Sequence, residues 1–291
     1  MEIIAAVVVL FIIVFLAWRW QRGRAARAGR EGERRVARQL ARLPRRFYTV
    51  ISDVLLPSGP TGATTQIDHI VVSTRGVFVI ETKRLSGAIR GSEHAQNWTQ
   101  TTPHGEERTF YNPLLQNEGH IRALRKLMPE LDPRLFVSMV VLTDVRTLDI
   151  SVDDFVEERT LLPDKRVSRT LIPALARKHW WQWGSRPVLD DSKIITGLFG
   201  LLPEIKRRKP LIDRDEVEMI VDDIVRCNDR SRRSRHEHTE YVKKVGREVA
   251  RDISRGICPR CGGRLEKRKG AYGRFLGCEN YPTCRFTTKA D

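Results

Sequence analysis

Negative charge is scarce in this sequence. It holds 36 Asp and Glu against 52 Lys and Arg, a formal net charge of +16, with an isoelectric point near 10.1. Such a balance works against cationic partners and favours anionic ones, nucleic acid or an acidic lipid surface. Arg-rich chains from GC-rich bacterial genomes carry a similar excess without such a partner. Cysteine is scarce too. There are five in 291 residues, four of them between Cys258 and Cys284, while Cys227 stands alone and reads as a plain, partly buried thiol. No stretch repeats itself, which removes solenoid architectures.

What the chain does have is one uninterrupted apolar run, IIAAVVVLFIIVFLAW, from Ile3 to Trp18. As a helix it spans roughly 24 Å, slightly short of a ~30 Å hydrocarbon core. Trp18 and Trp20 fit the interface, and Arg19 can snorkel. A cleaved signal peptide is the rival reading. It calls for basic residues before the run and a small-x-small site after it, whereas Glu2 precedes this run and WRWQRGR follows. Residues 1–21 are therefore expected to be a retained transmembrane anchor. Arg19, Arg22, Arg24, Arg27 and Arg30 lie after the span, so the positive-inside rule puts the bulk of the chain in the cytoplasm of a single-pass bacterial inner-membrane protein. In that reducing compartment grouped cysteines mean metal rather than disulfides.

The rest divides into a domain over residues 29–145, a charged helical spacer over 146–255 and a cysteine module over 256–291. Gly29 to Leu43 has an amphipathic helical pattern closed by Pro44, with Val36, Ala37, Leu40 and Leu43 on one side. Phe47 to Leu55 reads as a strand, Gln66 to Lys83 as a β-hairpin, and Gly87 to Glu107 as polar loop or a small ribbon around Trp98. Pro113 to Met128 reads as a helix with Pro at its first turn. The continuous apolar run Leu135 to Leu142 suits a strand buried on both faces. The order is α-β-β-β-α-β. In the spacer, HWWQW (His179 to Trp183) reads as packing. Val217, Ile220 and Ile224 mark one amphipathic helix, and Tyr241, Val245 and Val249 another. His236 and His238 between them read as solvated linker histidines.

The hairpin QIDHIVVSTRGVFVIETK carries charge where a strand pair should be apolar. With the turn centred between Thr74 and Arg75, Asp68 pairs directly with Glu81; a bulge at Gly76 would shift the register by one. Opposed carboxylates repel, and half-buried ones need protons or a cation. A divalent metal resolves the conflict, since Mg²⁺ is held by one or two carboxylates plus water and phosphate oxygens. Lys83 points to the same place. Glu33 lies at the N-terminal end of the first helix's apolar stripe, either as a dipole partner or with a role at the metal.

Asp68, followed thirteen residues later by Glu81-Thr82-Lys83, resembles the D…(D/E)xK signature of the PD-(D/E)xK nuclease superfamily. The wider pattern is similar to the nuclease-related domain (NERD) family: Gly32-Glu33, Gln66-Ile67-Asp68-His69, Gly76-Val77-Phe78, Glu81-Thr82-Lys83, Trp98, Asn112-Pro113, Gln116 and His120. The resemblance implies an α/β fold, a mixed sheet flanked by helices, and metal-dependent phosphodiester hydrolysis. Asp68 and Glu81 would hold Mg²⁺ or Mn²⁺, Lys83 would assist the attacking water, and Glu33 would be an outer carboxylate. Gln66 would contact metal-bound water or substrate. Gln116 and His120, one turn apart, either touch the phosphate or form a helix-surface pair.

The tail spacing C-x2-C-x16-C-x5-C (Cys258, Cys261, Cys278, Cys284) suits one tetrahedral, closed, structural Zn²⁺, which would supply the folding energy that so small a module lacks. CPxCGG, the run from Gly273 to Cys284, and Phe286 resemble the C-terminal zinc ribbon of bacterial type IA topoisomerases, which implies single-strand nucleic-acid binding. Tyr272, Phe275, Tyr281 and Phe286 are candidates to stack bases, with Phe275 and Tyr281 as the rival candidates for a small core. Arg264, Lys267, Arg268, Lys269, Arg274 and Arg285 are candidates to meet phosphates. The expectation is a membrane-anchored, metal-dependent nuclease acting on nucleic acid, DNA first. The alternatives are a non-catalytic nucleic-acid-binding scaffold and a basic spacer that holds the domain on anionic lipid. The sequence sets no oligomeric state.

Overall fold

The computed structural model describes residues 27–58, 63–151, 188–190, 192–229, 231–270 and 273–290. The expected anchor and the HWWQW segment lie outside the described residues. Among the described residues no helix is long and apolar enough to cross a membrane.

Helix α1 (27–40) buries Val36 and Leu40 of the expected stripe, with Leu43 buried just beyond its end and Ala37 only partly buried. Strands β1 (Tyr48–Pro57), β2 (Thr64–Ser73) and β3 (Gly76–Ser92) follow. The β2–β3 turn is the two-residue one, with Ser73 facing Gly76, and the ladder runs without a bulge to His69 facing Ile80. Gly76 sits at φ 121°. A Cβ there would come 2.6 Å from the Leu135 carbonyl oxygen, so glycine is required for both backbone and space.

β3 is the spine of the sheet. It pairs antiparallel with β2 and parallel with β6 (Phe136–Ser151), and its far half also receives a ribbon made of β4 (Asn97–Thr101) and β5 (Glu107–Tyr111). Trp98 is fully buried there, and its indole N–H donates to the Ser92 carbonyl at 2.8 Å. Helix α2 (Pro113–Leu127) returns the chain to β6. Its N-cap, Asn112, is fully buried. It accepts from the Leu114 N–H and donates to the carbonyls of Ser92, Glu93 and Ala95.

The sheet does not stop at 145. β6 runs on to Ser151, and β8 (Lys193–Gly197) and β7 (Val188–Asp190) extend the order to β1-β2-β3-β6-β8-β7. These strands come from the segment expected to be helical spacer. The cause is β6 itself. A strand apolar on both faces needs neighbours at both edges and helices on both sides. Helix α3 (Leu201–Arg207) joins α1 on one face, and α4 (Arg214–Cys227) joins α2 on the other. α4 opens with a capping box between Asp213 and Glu216 and buries Ile220 and Ile224; Cys227 is a partly buried thiol packed against the same core.

α5 (Arg232–Ser254) buries none of its 23 residues. It still touches the sheet. His238 Nδ1 lies 2.9 Å from Thr64 Oγ1, so His238 is not a solvated linker residue, whereas His236 is exposed. α5 leads to a second sheet of β9 (Leu265–Gly270), β10 (Gly273–Cys278) and β11 (Thr287–Lys289), in the order β11-β10-β9. This module docks on the loop that Asn112 organises. The Gln96 N–H donates to the Thr287 carbonyl at 2.8 Å, Ala95 and Thr287 form a parallel bridge, and Arg285 Nη1 lies 3.2 Å from His94 Nε2.

Candidate active site and metal centre

Extending the β2–β3 register by one step sets Asp68 opposite Glu81. No ladder pair forms there, because the strands part: β2 continues with β1, and β3 with β6. At the fork the Asp68 carboxylate takes the place of the missing strand and accepts the Thr82 N–H at 2.8 Å. Lys83 Nζ lies 2.7 Å from Glu81 Oε1 and donates to Gln116 Oε1 at 3.0 Å. His120, one turn along α2, places Nε2 3.3 Å from Glu81 Oε2, and its Nδ1 lies 2.6 Å from Thr65 Oγ1. Gln116 and His120 are thus aimed into the fork rather than paired on a helix surface.

The electrostatics separate the two carboxylates. Burial, then the neighbouring Glu81, hold the Asp68 carboxyl well above the usual range against the pull of the Thr82 N–H. Burial also pushes Glu81 up, but Lys83 and His120 together outweigh it and hold Glu81 below the usual range. Glu33, half-buried on α1, is raised by burial and then by Asp53 and Glu81. Burial pushes the His69 imidazole down to about 4, so it is neutral at pH 7.

Gln66 is exposed, and its Nε2 donates to Asp53 Oδ1 at 2.7 Å. Asp53 was not singled out from the sequence. It is the one non-glycine residue at positive φ among those described, at 58°. The β1–β2 ladder skips it between Ser52 facing His69 and Val54 facing Ile67. Asp tolerates this conformation where β-branched residues do not. The irregularity turns Val54 and Leu56 toward the same core as Ile51. Arg235 of α5 also reaches Asp53, through both its carboxylate and its carbonyl. The signal available was an aspartate in the middle of an apolar strand, where Asp is disfavoured.

Glu33, Asp68 and Glu81 are a set of hard oxygen donors, the type that Mg²⁺ and Mn²⁺ take. A buried carboxylate held high by burial and a neighbouring acid gains most from a cation. The three do not close a cage. Among the described residues the only group with three or more ligand atoms within 4.8 Å of one another is the four cysteines. A divalent ion at the fork would therefore rest on Asp68 and Glu81 with other oxygens completing its shell, and the donor set fits that.

The cysteines do converge. Cys258 Sγ and Cys284 Sγ are 3.7 Å apart, and Cys261 Sγ and Cys278 Sγ 3.3 Å. Four sulfurs at ~2.3 Å from a tetrahedral Zn²⁺ would stand about 3.8 Å from each other. The knuckle between Cys258 and Cys261 closes through Gly262 N–H to the Cys258 carbonyl and Cys258 N–H to the Gly263 carbonyl. Burial pushes the Cys278 thiol up to about 12, while Asn280 and the Gly263 N–H draw Cys261 down to about 6. The residues support one structural zinc.

Phe286 packs with Cys258, Leu265, Cys278 and Cys284 as the module's core. This corrects its place among the base-stacking candidates. Tyr281 is exposed and Phe275 half-buried, so neither is the core; Tyr272 lies outside the described residues. Of the basic candidates, Arg264 is paired with Glu279 and Arg268 with Glu266. Lys267, Lys269 and Arg274 are exposed, with Arg274 directly across from Lys269.

Residues 28–143 match the family model described as nuclease-related domain, and residues 255–291 match the one described as topoisomerase DNA binding C4 zinc finger. An uncharacterized Bacillus anthracis protein is 43% identical over 105 residues, 36% of this chain and 49% of its own. DNA topoisomerase 1 of Methanothermobacter thermautotrophicus is 56% identical over 36 residues, 12% of this chain and 5% of the enzyme. DNA topoisomerase 1 of Archaeoglobus fulgidus is 38% identical over 88 residues, 30% of this chain and 12% of the enzyme. The matches thus span about half of the Bacillus protein and a small part of each topoisomerase. No solved structure matches the chain. The forked sheet therefore carries a nuclease-related domain, and the cysteine module is a topoisomerase-type C4 zinc ribbon.

Proposed function

We propose that this chain is a metal-dependent nuclease, anchored in a bacterial inner membrane by residues 1–21 with the bulk of the chain in the cytoplasm, and that its ribbon delivers nucleic acid, DNA first, to the fork. The observation that carries this reading is the opposed pair Asp68 and Glu81 at a strand fork, with Lys83 held between Glu81 and Gln116. Asp68 and Glu81 would hold Mg²⁺ or Mn²⁺. A bound divalent ion supplies Lewis-acid stabilisation of phosphate charge and a more acidic water. Lys83 keeps a cation within reach of a phosphate oxygen or an attacking water. Gln116 fixes where that ammonium sits. His120 orients Glu81, and Thr65 in turn fixes the His120 ring. Glu33 adds an outer carboxylate.

On the ribbon, like charges at Arg274 and Lys269 stand directly across a strand pair, which is unfavourable without an anion between them. With Lys267 they form a strip suited to phosphates, and exposed Tyr281 offers a face for a base.

One observation favours a second reading, a non-catalytic scaffold. Both Glu81 oxygens and one Asp68 oxygen already have protein partners. Cleavage assays decide between the two. The full chain in detergent is incubated with linear, circular and single-stranded DNA, and with RNA, in Mg²⁺, in Mn²⁺ or without added divalent ion. Metal-dependent cleavage lost in Glu81→Ala and Lys83→Ala establishes the nuclease. Binding without cleavage in every condition establishes the scaffold.

A further inference from the structure

An open cleft of about 910 Å³ lies on the α1 side of the sheet, lined by Arg27, Arg30, Arg34, Glu31, Arg84 and Asp144 among others. Its positive charge is not balanced. Asp144 is already shared, 2.6 Å from Arg35 Nη1 and 2.8 Å from Arg84 Nε, and Glu31 lies 3.3 Å from Arg38. Arg27, Arg30 and Arg34 have no ion pair with a described residue. They stand at i, i+3 and i+7, one line along a helix, where like charges repel. All three are exposed, so packing does not require them.

The cleft and the fork share a wall. α1 rests on β3 at Gly32, where a Cβ would come 2.9 Å from Arg84 Cβ and 3.5 Å from Thr82 Cγ2. The N–H of the same Thr82 holds Asp68, and Lys83 between them belongs to the fork. Glu33, next to Gly32, faces the carboxylates, while Arg30 and Arg34 to either side of it line the cleft. A strand with one phosphate at Asp68 and Glu81 would pass its neighbouring phosphates over these arginines.

We propose that the α1 cleft, through Arg30, Arg34 and Arg84, is a phosphate-binding subsite that holds the nucleic-acid strand beside the fork. The inference rests on the nucleic-acid reading of the fork but not on catalysis. Arg suits the role because it stays charged and grips phosphate oxygens in pairs. Such phosphate pairing carries no base specificity; it sets where the strand lies.

The test is salt-dependent binding of a short fluorescent oligonucleotide, single-stranded and duplex, to the zinc-loaded full chain in detergent without added Mg²⁺ or Mn²⁺. Arg30→Ala/Arg34→Ala is compared with Arg42→Ala/Arg45→Ala, which removes the same charge from exposed positions outside the cleft, and with Arg30→Lys/Arg34→Lys. If the cleft holds phosphates, the slope of log K against log salt shrinks in the first variant by about 0.7 to 0.9 for each phosphate no longer neutralised. The outside pair leaves the slope unchanged, and the lysine pair largely restores it. The same proteins are tested for sedimentation with phosphatidylserine vesicles. An unchanged oligonucleotide slope in Arg30→Ala/Arg34→Ala overturns the proposal, and if vesicle binding falls at the same time the cleft is a lipid-headgroup site instead. Cleavage plays no part in the readout, so an inactive fork would leave this result standing.

Discussion

The two charged centres of this molecule are built on opposite plans. In the ribbon, four sulfurs meet at one point, and their surroundings are the fold: Phe286, Leu265 and three of the cysteines form its core. At the fork, three carboxylates approach one another without meeting, and Glu81 and Asp68 lean on protein groups: Lys83, His120 and the Thr82 N–H. A closed soft site gives its metal a structural role and leaves no position for substrate. An open hard site leaves oxygens and space for water and phosphate. The ribbon's own core is a handful of side chains, too few to hold so small a module without a metal, whereas the fork sits on a sheet covered by helices on both faces.

The sharpest break in this comparison is removal of zinc. Chelation, or Cys278→Ser, is expected to unfold the ribbon completely, since structural zinc supplies about 10–16 kcal/mol in modules of this kind. The main sheet stays folded. Hydrogen exchange checks this: protection disappears over residues 257–290 and remains in β3 and β6. Loss of protection throughout would mean that the docking at Gln96 and Thr287 holds the main domain together.

Next in size is the chemistry at the fork. Glu81→Gln and Lys83→Ala are each expected to lower cleavage about a thousandfold, several kcal/mol of transition-state stabilisation, with zinc content unchanged. Rates equal to wild type would remove Glu81 and Lys83 from the reaction.

Third is the pH dependence of stability. His69 is held at about 4 against its ordinary 6.5. Its contribution is therefore present above pH 6.5 and lost as pH falls toward 4, up to about 3 kcal/mol in all. Asp68 works the other way. Its folded pKa is raised, so stability is lost as pH climbs from the ordinary carboxylate range through the raised value. Asp68→Asn should remove that loss and stabilise the protein near pH 7 by about 1–3 kcal/mol, as relief of a poorly compensated buried group does. It should also abolish any rise in Tm on adding Mg²⁺. Melting curves against pH, with and without Mg²⁺, show both, and a destabilised Asp68→Asn protein would mean that its bond to Thr82 outweighs burial.

The smallest effect is expected at the seam between the two regions. Lys289 Nζ and Glu107 Oε2 are 3.8 Å apart and both exposed. Lys289→Ala should change stability by less than about 0.5 kcal/mol in chemical denaturation. A larger loss would show that the seam is held by charge rather than by the Ala95–Thr287 bridge.

The sequence was most informative where spacing is local. Thr74-Arg75 as a two-residue turn sets the register that brings Asp68 to Glu81, and a C-x2-C followed by a C-x5-C can place four sulfurs around one ion. The reach of the sheet was not legible in this way. β8 is five residues long, and nothing local in KIITG says that it pairs with β6 rather than standing alone. Asp53 escaped for the same reason, because a positive φ in a strand becomes visible only when the partner strand is seen to skip it. His238 reads as solvent-facing linker in the sequence, and only the packing of α5 against Thr64 shows otherwise.

The sequence by itself determined the hairpin, the register that sets Asp68 opposite Glu81, the placing of Lys83 beside Glu81 and the cysteine spacing of the ribbon, since each follows from spacing within one hairpin or one small module. Only the tertiary structure decided that β2 and β3 part at Asp68, that α2 turns Gln116 and His120 into that gap, and that Phe286 rather than Phe275 fills the ribbon. It also decided that the ribbon closes onto the loop held by Asn112. Those outcomes depend on which surfaces find each other across long separations in the chain, a question of packing that no local spacing encodes.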